Sequence, residues 1–166
     1  CKYNQRGEIR VFTPARMKEY YKRPDATAEF FWKDSSGREW GCTGDVGYVD
    51  EDGFVFVEGR AIDYFIAKSG TKFYNFDIEN VILRNESVDQ CEVVGRVLSD
   101  SAEVPVAFIT IKGSVNQHDI VKQIIELCKK EFEAEQVPVD IRIIDKFPVK
   151  PSGKRDMEQL KKLAQV

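Results

Sequence analysis

The stretch CEVVGRVLSDSAEVPVAFITI, residues 91–111, contains two runs rich in valine and isoleucine. Because β-branched residues favour extended structure, the runs 91–98 and 104–111 predict two strands. Upstream of them, Asn75 is placed to cap a helix that continues to about Arg84, since apolar residues recur there on one helical face. This part of the sequence therefore predicts a helix followed by two strands.

The sequence on the other side of these strands predicts three further elements. Asn116 is placed to cap a long amphipathic helix, which Pro138 ends. Residues 139–144 alternate as a strand, and residues 156–164 form a last helix. With a short strand at 63–68, the order becomes strand, helix, strand, strand, helix, strand, helix. This order predicts a compact α+β unit of about 100 residues.

The chain before about residue 60 has a different character, mostly β with little helix. Residues 8–12 predict a short strand, and residues 14–31 carry a mixed, partly helical pattern that Pro24 interrupts. Two β-rich runs flank Asp52-Gly53, a pair typical of a hairpin turn. We therefore interpret this part as the edge of something larger.

Composition excludes several classes of protein. The 166-residue chain of 19.1 kDa has 42% hydrophobic and 32% charged residues, which is typical of a globular protein. Its formal net charge of −3 disfavours a nucleic-acid binder held by phosphate contacts. No apolar run approaches the roughly 20 residues that span a membrane. The chain begins with Cys1 rather than Met, so we expect a fragment of a longer protein.

The four cysteines lie far apart in the sequence. Cys1, Cys42, Cys91 and Cys128 contain no close pair, so they predict neither a zinc site nor a redox pair. We expect them to be small buried or half-buried hydrophobic residues. Isolated thiols favour a reducing compartment, which predicts a cytoplasmic location.

Two short segments contain side chains that suit a phosphorylated ligand. In Thr43-Gly44-Asp45 the carboxylate can accept hydrogen bonds from two hydroxyl groups, as acidic residues do on ribose; a plain turn aspartate is the alternative. In Pro151-Ser152-Gly153-Lys154 the lysine can bring positive charge to a phosphate, although the pattern is not a Walker loop. The alternative for this lysine is a solvated surface residue. His118, the only histidine, does not support a hydrolase triad.

These features, taken together and in order, resemble the motifs of a known family. The segment Trp40-Gly41-Cys42-Thr43-Gly44-Asp45 resembles the aromatic–x–x–Thr-Gly-Asp segment of AMP-forming acyl-CoA synthetases, the adenylate-forming ligases of the ANL superfamily. The family's later motifs have counterparts here in the same order: Asp52-Gly53, Gly59-Arg60, Asp63, Gly70-Thr71-Lys72, Asp77-Ile78-Glu79, Pro148 and Ser152-Gly153-Lys154. The resemblance covers nearly the whole chain.

The chain departs from the family pattern at its hinge and near its end. One residue is inserted before the hinge, so Ile62 or Asp63 can occupy the pivot position. We predict Asp63, because its distance to Gly70 matches the family and because Asp tolerates an exposed turn better than Ile does. Met157 stands where the family often has a basic residue, so we expect that contact to be absent.

The resemblance implies the C-terminal portion of such an enzyme. Residues 1–60 would be the β-rich C-terminal end of the large adenylation domain, and residues 61–64 the hinge. Residues 65–166 would be the mobile C-terminal lid domain, α+β, with a mixed sheet and flanking helices. The phosphate loop and acyl pocket of the family do not occur here, so we expect this fragment alone to be inactive.

The resemblance also implies an ATP-dependent carboxylic acid–CoA ligase. The acid reacts with Mg²⁺-ATP to give an acyl-adenylate, and coenzyme A then displaces AMP. Lys154 would be the catalytic lysine, Asp45 and Arg60 would hold the ribose hydroxyl groups, and Lys72 would meet the phosphates of coenzyme A. No metal ligand is expected in this chain.

Two alternatives remain open at this point. The chain can belong to an amino-acid-activating domain that loads a carrier protein, which uses the same first step. It can also be a non-catalytic α+β binding module, in which case it should be complete by itself. A lid should instead have an exposed face suited to a missing partner domain. The identity of the carboxylic acid and the oligomeric state do not follow from the sequence.

Overall fold

The computed structural model describes residues 2–113 and 116–166, so the prediction for Cys1 lies outside the described residues. The chain forms two compact units, Cys1–Ile62 and Asp63–Val166, which we call the first and second unit. The cysteines at 42, 91 and 128 are free thiols, half-buried in the first case and buried in the other two. The prediction of unpaired, largely buried cysteines is confirmed for these three.

The first unit is an antiparallel sheet built around one long strand. Its elements are β1 (Gly7–Val11), α1 (Pro24–Phe30), β2 (Phe31–Lys33), β3 (Glu39–Val49) and β4 (Val55–Arg60). Strand β1 pairs with one edge of β3, and β2 and β4 pair with opposite ends of the other edge. The predicted hairpin around Asp52-Gly53 is confirmed as the connection between β3 and β4. The Asp50 carboxylate fixes its turn by accepting hydrogen bonds from the N–H groups of Asp52 and Phe54.

Pro24 begins a helix rather than interrupting one. It is the first residue of α1, where its fixed φ suits the helix. An N–H group at this position would have no intrahelical acceptor, so its absence in proline costs no hydrogen bond. Arg23 precedes it in a non-helical conformation. The predicted break at this proline is correct, but the helical part of 14–31 lies only on its C-terminal side.

The second unit is an α+β domain with a mixed sheet. Its elements are β5 (Tyr64–Ile66), β6 (Lys72–Tyr74), α2 (Asn75–Ile82), β7 (Val88–Val97), β8 (Glu103–Ile111), α3 (Gln117–Glu131), a 3₁₀ turn (Ala134–Gln136), β9 (Asp140–Ile143) and α4 (Met157–Ala164). Strand β8 pairs antiparallel with β7 and parallel with β9, while β5 and β6 form a separate hairpin. The predicted α+β class, with a mixed sheet and flanking helices, is confirmed.

Alternate residues of β7 and β8 face two separate hydrophobic cores. On one face Val93, Ala107 and Ile109 pack with buried residues of α2 and α3. On the other face Val94 and Phe108 pack with the helix α4 and with the segment before it. The sheet is therefore the middle of three layers, and its α4 face also supports the loop that carries Lys154.

The two predicted asparagine caps have different outcomes. Asn116 caps α3, because its side-chain oxygen accepts a hydrogen bond from the N–H of His118 at 3.1 Å. Asn75 does not cap α2, so that prediction is wrong. Strand β6 leads directly into the helix, which makes Tyr74 the N-cap and places Asn75 inside the first turn. The side chain of Asn75 is buried there.

Candidate functional site

Asp45 and Arg60 form a pair across the strands β3 and β4. They are partners in the strand register, and Nη1 of Arg60 donates to Oδ1 of Asp45 at 2.8 Å. The other carboxylate oxygen of Asp45 has no hydrogen-bond partner among the described residues. The pair thus presents a fixed acceptor beside a fork of donors, which is the chemistry that a ribose diol requires.

Thr43 and Gly44 shape the backbone around this pair. The hydroxyl of Thr43 donates to the carbonyl of Ile9 at 2.8 Å and accepts a hydrogen bond from the N–H of Asp45 at 3.0 Å. Gly44 has a φ of +72°, and a Cβ there would lie 3.3 Å from Nη2 of Arg60. Because only glycine adopts this conformation readily, Gly44 lets the guanidinium lie close against the strand. Each residue of the Thr-Gly-Asp motif therefore has a geometric role.

Lys154 lies on a short hairpin between β9 and α4. The N–H of Gly153 donates to the carbonyl of Lys150 at 2.9 Å, and the N–H of Lys150 donates to the carbonyl of Lys154 at 2.8 Å. With Pro151 in the turn and Gly153 at a φ of +80°, this pattern is a tight turn followed by a glycine bulge. The hairpin holds Lys154 exposed, and its ammonium group has no ion pair with any described residue.

Lys72 lies on the hairpin of β5 and β6, against two tyrosine rings. Its ammonium nitrogen is 3.9 Å from the ring centroid of Tyr64 and 4.6 Å from that of Tyr74. These rings attract the cation and restrict its position, while the residue itself stays exposed. The turn of this hairpin repeats the geometry found at Lys154, with Gly70 in the position of Gly153. The structure does not bring Lys72 and Lys154 together; they lie on separate hairpins of the second unit.

Asp63 lies at the start of the second unit, next to an exposed isoleucine. Its carbonyl accepts a hydrogen bond from the N–H of Asn75 at 3.1 Å, and its side chain is half-buried. Ile62 is 71% exposed. Of the two candidate pivot residues, Ile62 is thus the more exposed. The role of Asp63 as a pivot stays a prediction that rests on spacing.

Glu79, which the sequence places in the Asp-Ile-Glu motif, is a mostly buried carboxylic acid. Its pKa is raised to about 7, mainly by burial, with a contribution from the carboxylates of Glu92 and Asp63. The N–H of Val93 opposes this shift by donating to Oε1 of Glu79 at 2.8 Å, as does the charge of Arg155. The sequence motif identified the position of Glu79, but the pKa of its carboxyl group also depends on residues of β7 and of the Lys154 hairpin.

Met157, at the place of the family's basic residue, packs into the core between α4 and the sheet. No group of three or more His, Cys, Asp or Glu side chains in residues 2–113 and 116–166 could hold a metal ion. Over the same residues, no helix combines the length and the apolar character needed to cross a membrane.

Comparisons with known proteins agree with the motifs. Residues 77–154 match the model of the family described as AMP-binding enzyme C-terminal domain. The 2-succinylbenzoate–CoA ligase of Geobacillus sp. (strain WCH70) is 36% identical over 157 residues, which are 95% of this chain and 30% of that enzyme. The corresponding ligase of Geobacillus kaustophilus (strain HTA426) is 31% identical over 160 residues. The chain spans about 30% of the length of these relatives.

Solved structures show the same fold. The o-succinylbenzoate CoA synthetase of Bacillus subtilis, in complex with its acyl-adenylate intermediate, has a TM-score of 0.74 and 30% identity. It is matched over 97% of this chain and 31% of that one. The amide bond synthetase McbA of Marinactinospora thermotolerans has a TM-score of 0.80 and 27% identity, over 98% of this chain and 32% of that one.

The fold and its motifs thus match the C-terminal part of these enzymes. Residues 77–154 belong to the family of AMP-binding enzyme C-terminal domains, and nearly the whole chain is similar to the C-terminal part of 2-succinylbenzoate–CoA ligases. The resemblance inferred from the sequence is confirmed.

Proposed function

We propose that this chain supplies part of the nucleotide site and the mobile lid of an ATP-dependent carboxylic acid–CoA ligase. In this proposal residues 1–60 end the large adenylation domain, residues 61–64 are the hinge, and residues 65–166 are the lid. The observation that carries the proposal is Lys154, an unpaired cation fixed on a tight hairpin within a domain of this family.

Asp45 and Arg60 would hold the ribose of ATP. The free carboxylate oxygen of Asp45 can accept hydrogen bonds from the hydroxyl groups, and Arg60 both orients the carboxylate and offers further donors. The AMP complex of the Bacillus subtilis synthetase, which is 30% identical to this chain, supports a nucleotide as ligand. ATP is proposed here as substrate. Mg²⁺ is expected to accompany it, but the described residues offer no cluster of ligands for the ion, so no step is assigned to it.

Lys154 would act in adenylate formation. In this step a carboxylate attacks the α-phosphate of ATP, so two anions must approach and negative charge develops on the phosphoryl oxygens. An ammonium group aimed at that charge stabilises the transition state more than the separated substrates. One such contact contributes on the order of 3 kcal/mol, which corresponds to roughly a hundredfold in rate.

The second step needs a different arrangement of the lid, because the thiol must reach the carbonyl from a side that is open to it. Rotation of the lid about a hinge at Asp63 would move the hairpin of Lys154 away from the reacting groups and bring the hairpin of Lys72 toward them. Lys72, which the two tyrosine rings hold in place, would then meet the phosphates of coenzyme A. A carrier-protein thiol is the alternative acceptor, and an amino acid would then be the acid that is activated.

The surface of β4 supports a larger partner domain and disfavours a self-contained binding module. Phe54 to Val57 form a continuous apolar run that is exposed, with 66% exposure at Phe54 and 63% at Val57. A strand that is apolar on both faces is typical of the interior of a larger structure. We propose that the N-terminal part of the large domain covers it. Free cysteines at 42, 91 and 128 support a cytoplasmic, reducing location.

The full-length enzyme tests this function. It should be incubated with ATP, coenzyme A and a panel of aromatic and aliphatic carboxylic acids, and AMP, pyrophosphate and thioester should be measured. We expect AMP and pyrophosphate only when an acid is present, and release of thioester only with coenzyme A. AMP formation without any thioester would favour the carrier-protein alternative. Absence of acid-dependent ATP cleavage across the panel would favour the binding module.

A further inference from the structure

Arg155, the neighbour of Lys154, joins the lysine hairpin to the sheet through three contacts. Its Nε lies 3.2 Å from Oε1 of Glu92, and its Nη2 donates to Oε1 of Gln90 at 3.1 Å. Its guanidinium carbon lies 3.9 Å above the ring centroid of Phe147. The side chain is largely covered, whereas Lys154 is exposed.

The partners of Arg155 belong to a rigid part of the second unit. Gln90 and Glu92 are alternate residues of β7, so both point to the face of the sheet that packs against α4. Phe147 is buried in the hydrophobic core on that same face. A guanidinium fork that is held by a strand and stacked on a core ring has little freedom to move.

The remaining contacts of the hairpin lie at its base and toward α4, where Lys150 pairs with Glu158 at 3.2 Å. Its base is closed by the bridge between Val149 and Arg155 and by the N–H of Asp156, which donates to the carbonyl of Pro148 at 2.9 Å. Beside it a half-open polar cleft of about 410 Å³ is lined by Gly153, Arg155 and residues of β7 and β8. Across this cleft, the side chain of Arg155 makes the polar contacts that join the hairpin to β7.

We propose that Arg155 is a positioning residue, which fixes the direction in which Lys154 presents its ammonium group during adenylate formation. Successive residues of an extended segment point to opposite sides, so fastening Arg155 toward the sheet turns Lys154 away from it. This inference rests on the role proposed for Lys154. The contacts with Glu92 and Phe147 are specific for arginine, because a lysine at this position would keep the positive charge but not the planar guanidinium group.

The test uses the full-length enzyme with the variants Arg155→Met and Arg155→Lys. Arg142→Met is the matched control, since Arg142 also pairs with a carboxylate, that of Asp140 at 2.8 Å, and lies over the ring of Phe108, but is not on the hairpin. Pyrophosphate exchange reports the first half-reaction, with kcat and the KM for ATP measured separately. Thioester formation from supplied acyl-adenylate reports the second.

We expect Arg155→Met to lower kcat for adenylation by about 10- to 100-fold with little change in the KM for ATP, since small misplacements of a catalytic group cost this much. The rate of the second half-reaction in Arg155→Met should stay within about twofold of wild type. Arg155→Lys should recover part of the adenylation rate that Arg155→Met loses. Arg142→Met should have wild-type rates in both half-reactions. If Arg155→Met is poorly folded, Glu92→Gln replaces it, with the same selective loss expected.

Equal activity of Arg155→Met and Arg142→Met would overturn the inference, as would equal losses in both half-reactions. Lys154→Ala, measured alongside, separates this inference from the proposed function. Loss of adenylation in Lys154→Ala with normal Arg155 variants means that only the positioning role is wrong. Normal adenylation in Lys154→Ala means that the proposed role of Lys154 is wrong, and the positioning role is wrong with it.

Discussion

Glu79→Gln should make the second unit more stable than it is in the wild-type protein at neutral and alkaline pH. The carboxyl group of Glu79 is mostly buried beside the carboxylates of Glu92 and Asp63, which raises its pKa from 4.5 to about 7. Because the folded state holds this proton more tightly than the unfolded state, the proton stabilises the fold at low pH. That stabilisation is complete below about pH 4.5 and is lost as pH rises through 7. A shift of this size corresponds to about 3 kcal/mol at most.

Glutamine at this position keeps the oxygen that accepts the hydrogen bond from Val93 but carries no titrating group. The free energy of unfolding of Glu79→Gln, minus that of wild type, should therefore increase by up to about 3 kcal/mol between pH 4.5 and pH 8.5. Urea unfolding followed by circular dichroism at 222 nm suits this measurement, because α2, α3 and α4 all lie in the second unit. Tryptophan fluorescence does not suit it, because Trp32 and Trp40 both lie in the first unit.

The matched control is Glu126→Gln, which removes an exposed carboxylate from α3. We expect the pH-dependent part of the difference from wild type to be larger for Glu79→Gln than for this control. A pH-independent difference for Glu79→Gln, or a wild-type protein that gains stability relative to this variant as pH rises, would refute the reasoning.

Three further predictions concern the proposed site. Asp45→Ala in the full-length enzyme should raise the KM for ATP in pyrophosphate exchange by about 10- to 100-fold, the loss expected for hydrogen bonds to a charged group, and an unchanged KM would remove Asp45 from the ribose site. Asp63→Pro should leave one half-reaction intact and abolish the other by locking one lid orientation, since proline fixes φ near −65°; if Ile62→Pro gives this split and Asp63→Pro does not, the pivot is Ile62. The 166-residue chain alone should give no pyrophosphate exchange with any carboxylic acid, and measurable exchange would contradict its role as a part of the catalytic site.

The hairpin around Asp52-Gly53 could be predicted because its turn is encoded locally. Asp52-Gly53, Gly70 and Gly153 mark turns in which the glycine has a positive φ, and each turn lies within five residues of sequence. The β-branched runs of β7 and β8 are equally local signals. The order of elements in the second unit followed from such signals except for the short strand β6, which pairs with β5 and was not predicted.

Features that depend on tertiary partners could not be predicted in the same way. Asn75 and Asn116 precede similar helical patterns, yet only Asn116 caps its helix, because β6 leads into α2 without a loop. The pKa of Glu79 and the fastening of Arg155 both involve Glu92, which lies more than ten residues away from either of them in the sequence. Motif spacing marked Lys154 as a candidate, but nothing in the sequence indicated what holds it.

The most direct test of the central claim compares Lys154→Ala with Lys150→Ala in the full-length enzyme. Both lysines lie on the same hairpin, but Lys150 is paired with Glu158 at 3.2 Å, whereas the ammonium group of Lys154 has no partner among the described residues. Lys154→Ala should lower pyrophosphate exchange about a hundredfold or more and affect thioester formation from supplied acyl-adenylate far less, while Lys150→Ala should be near wild type in both. Equal losses of the two half-reactions in Lys154→Ala, or a normal rate of adenylation, would contradict the account.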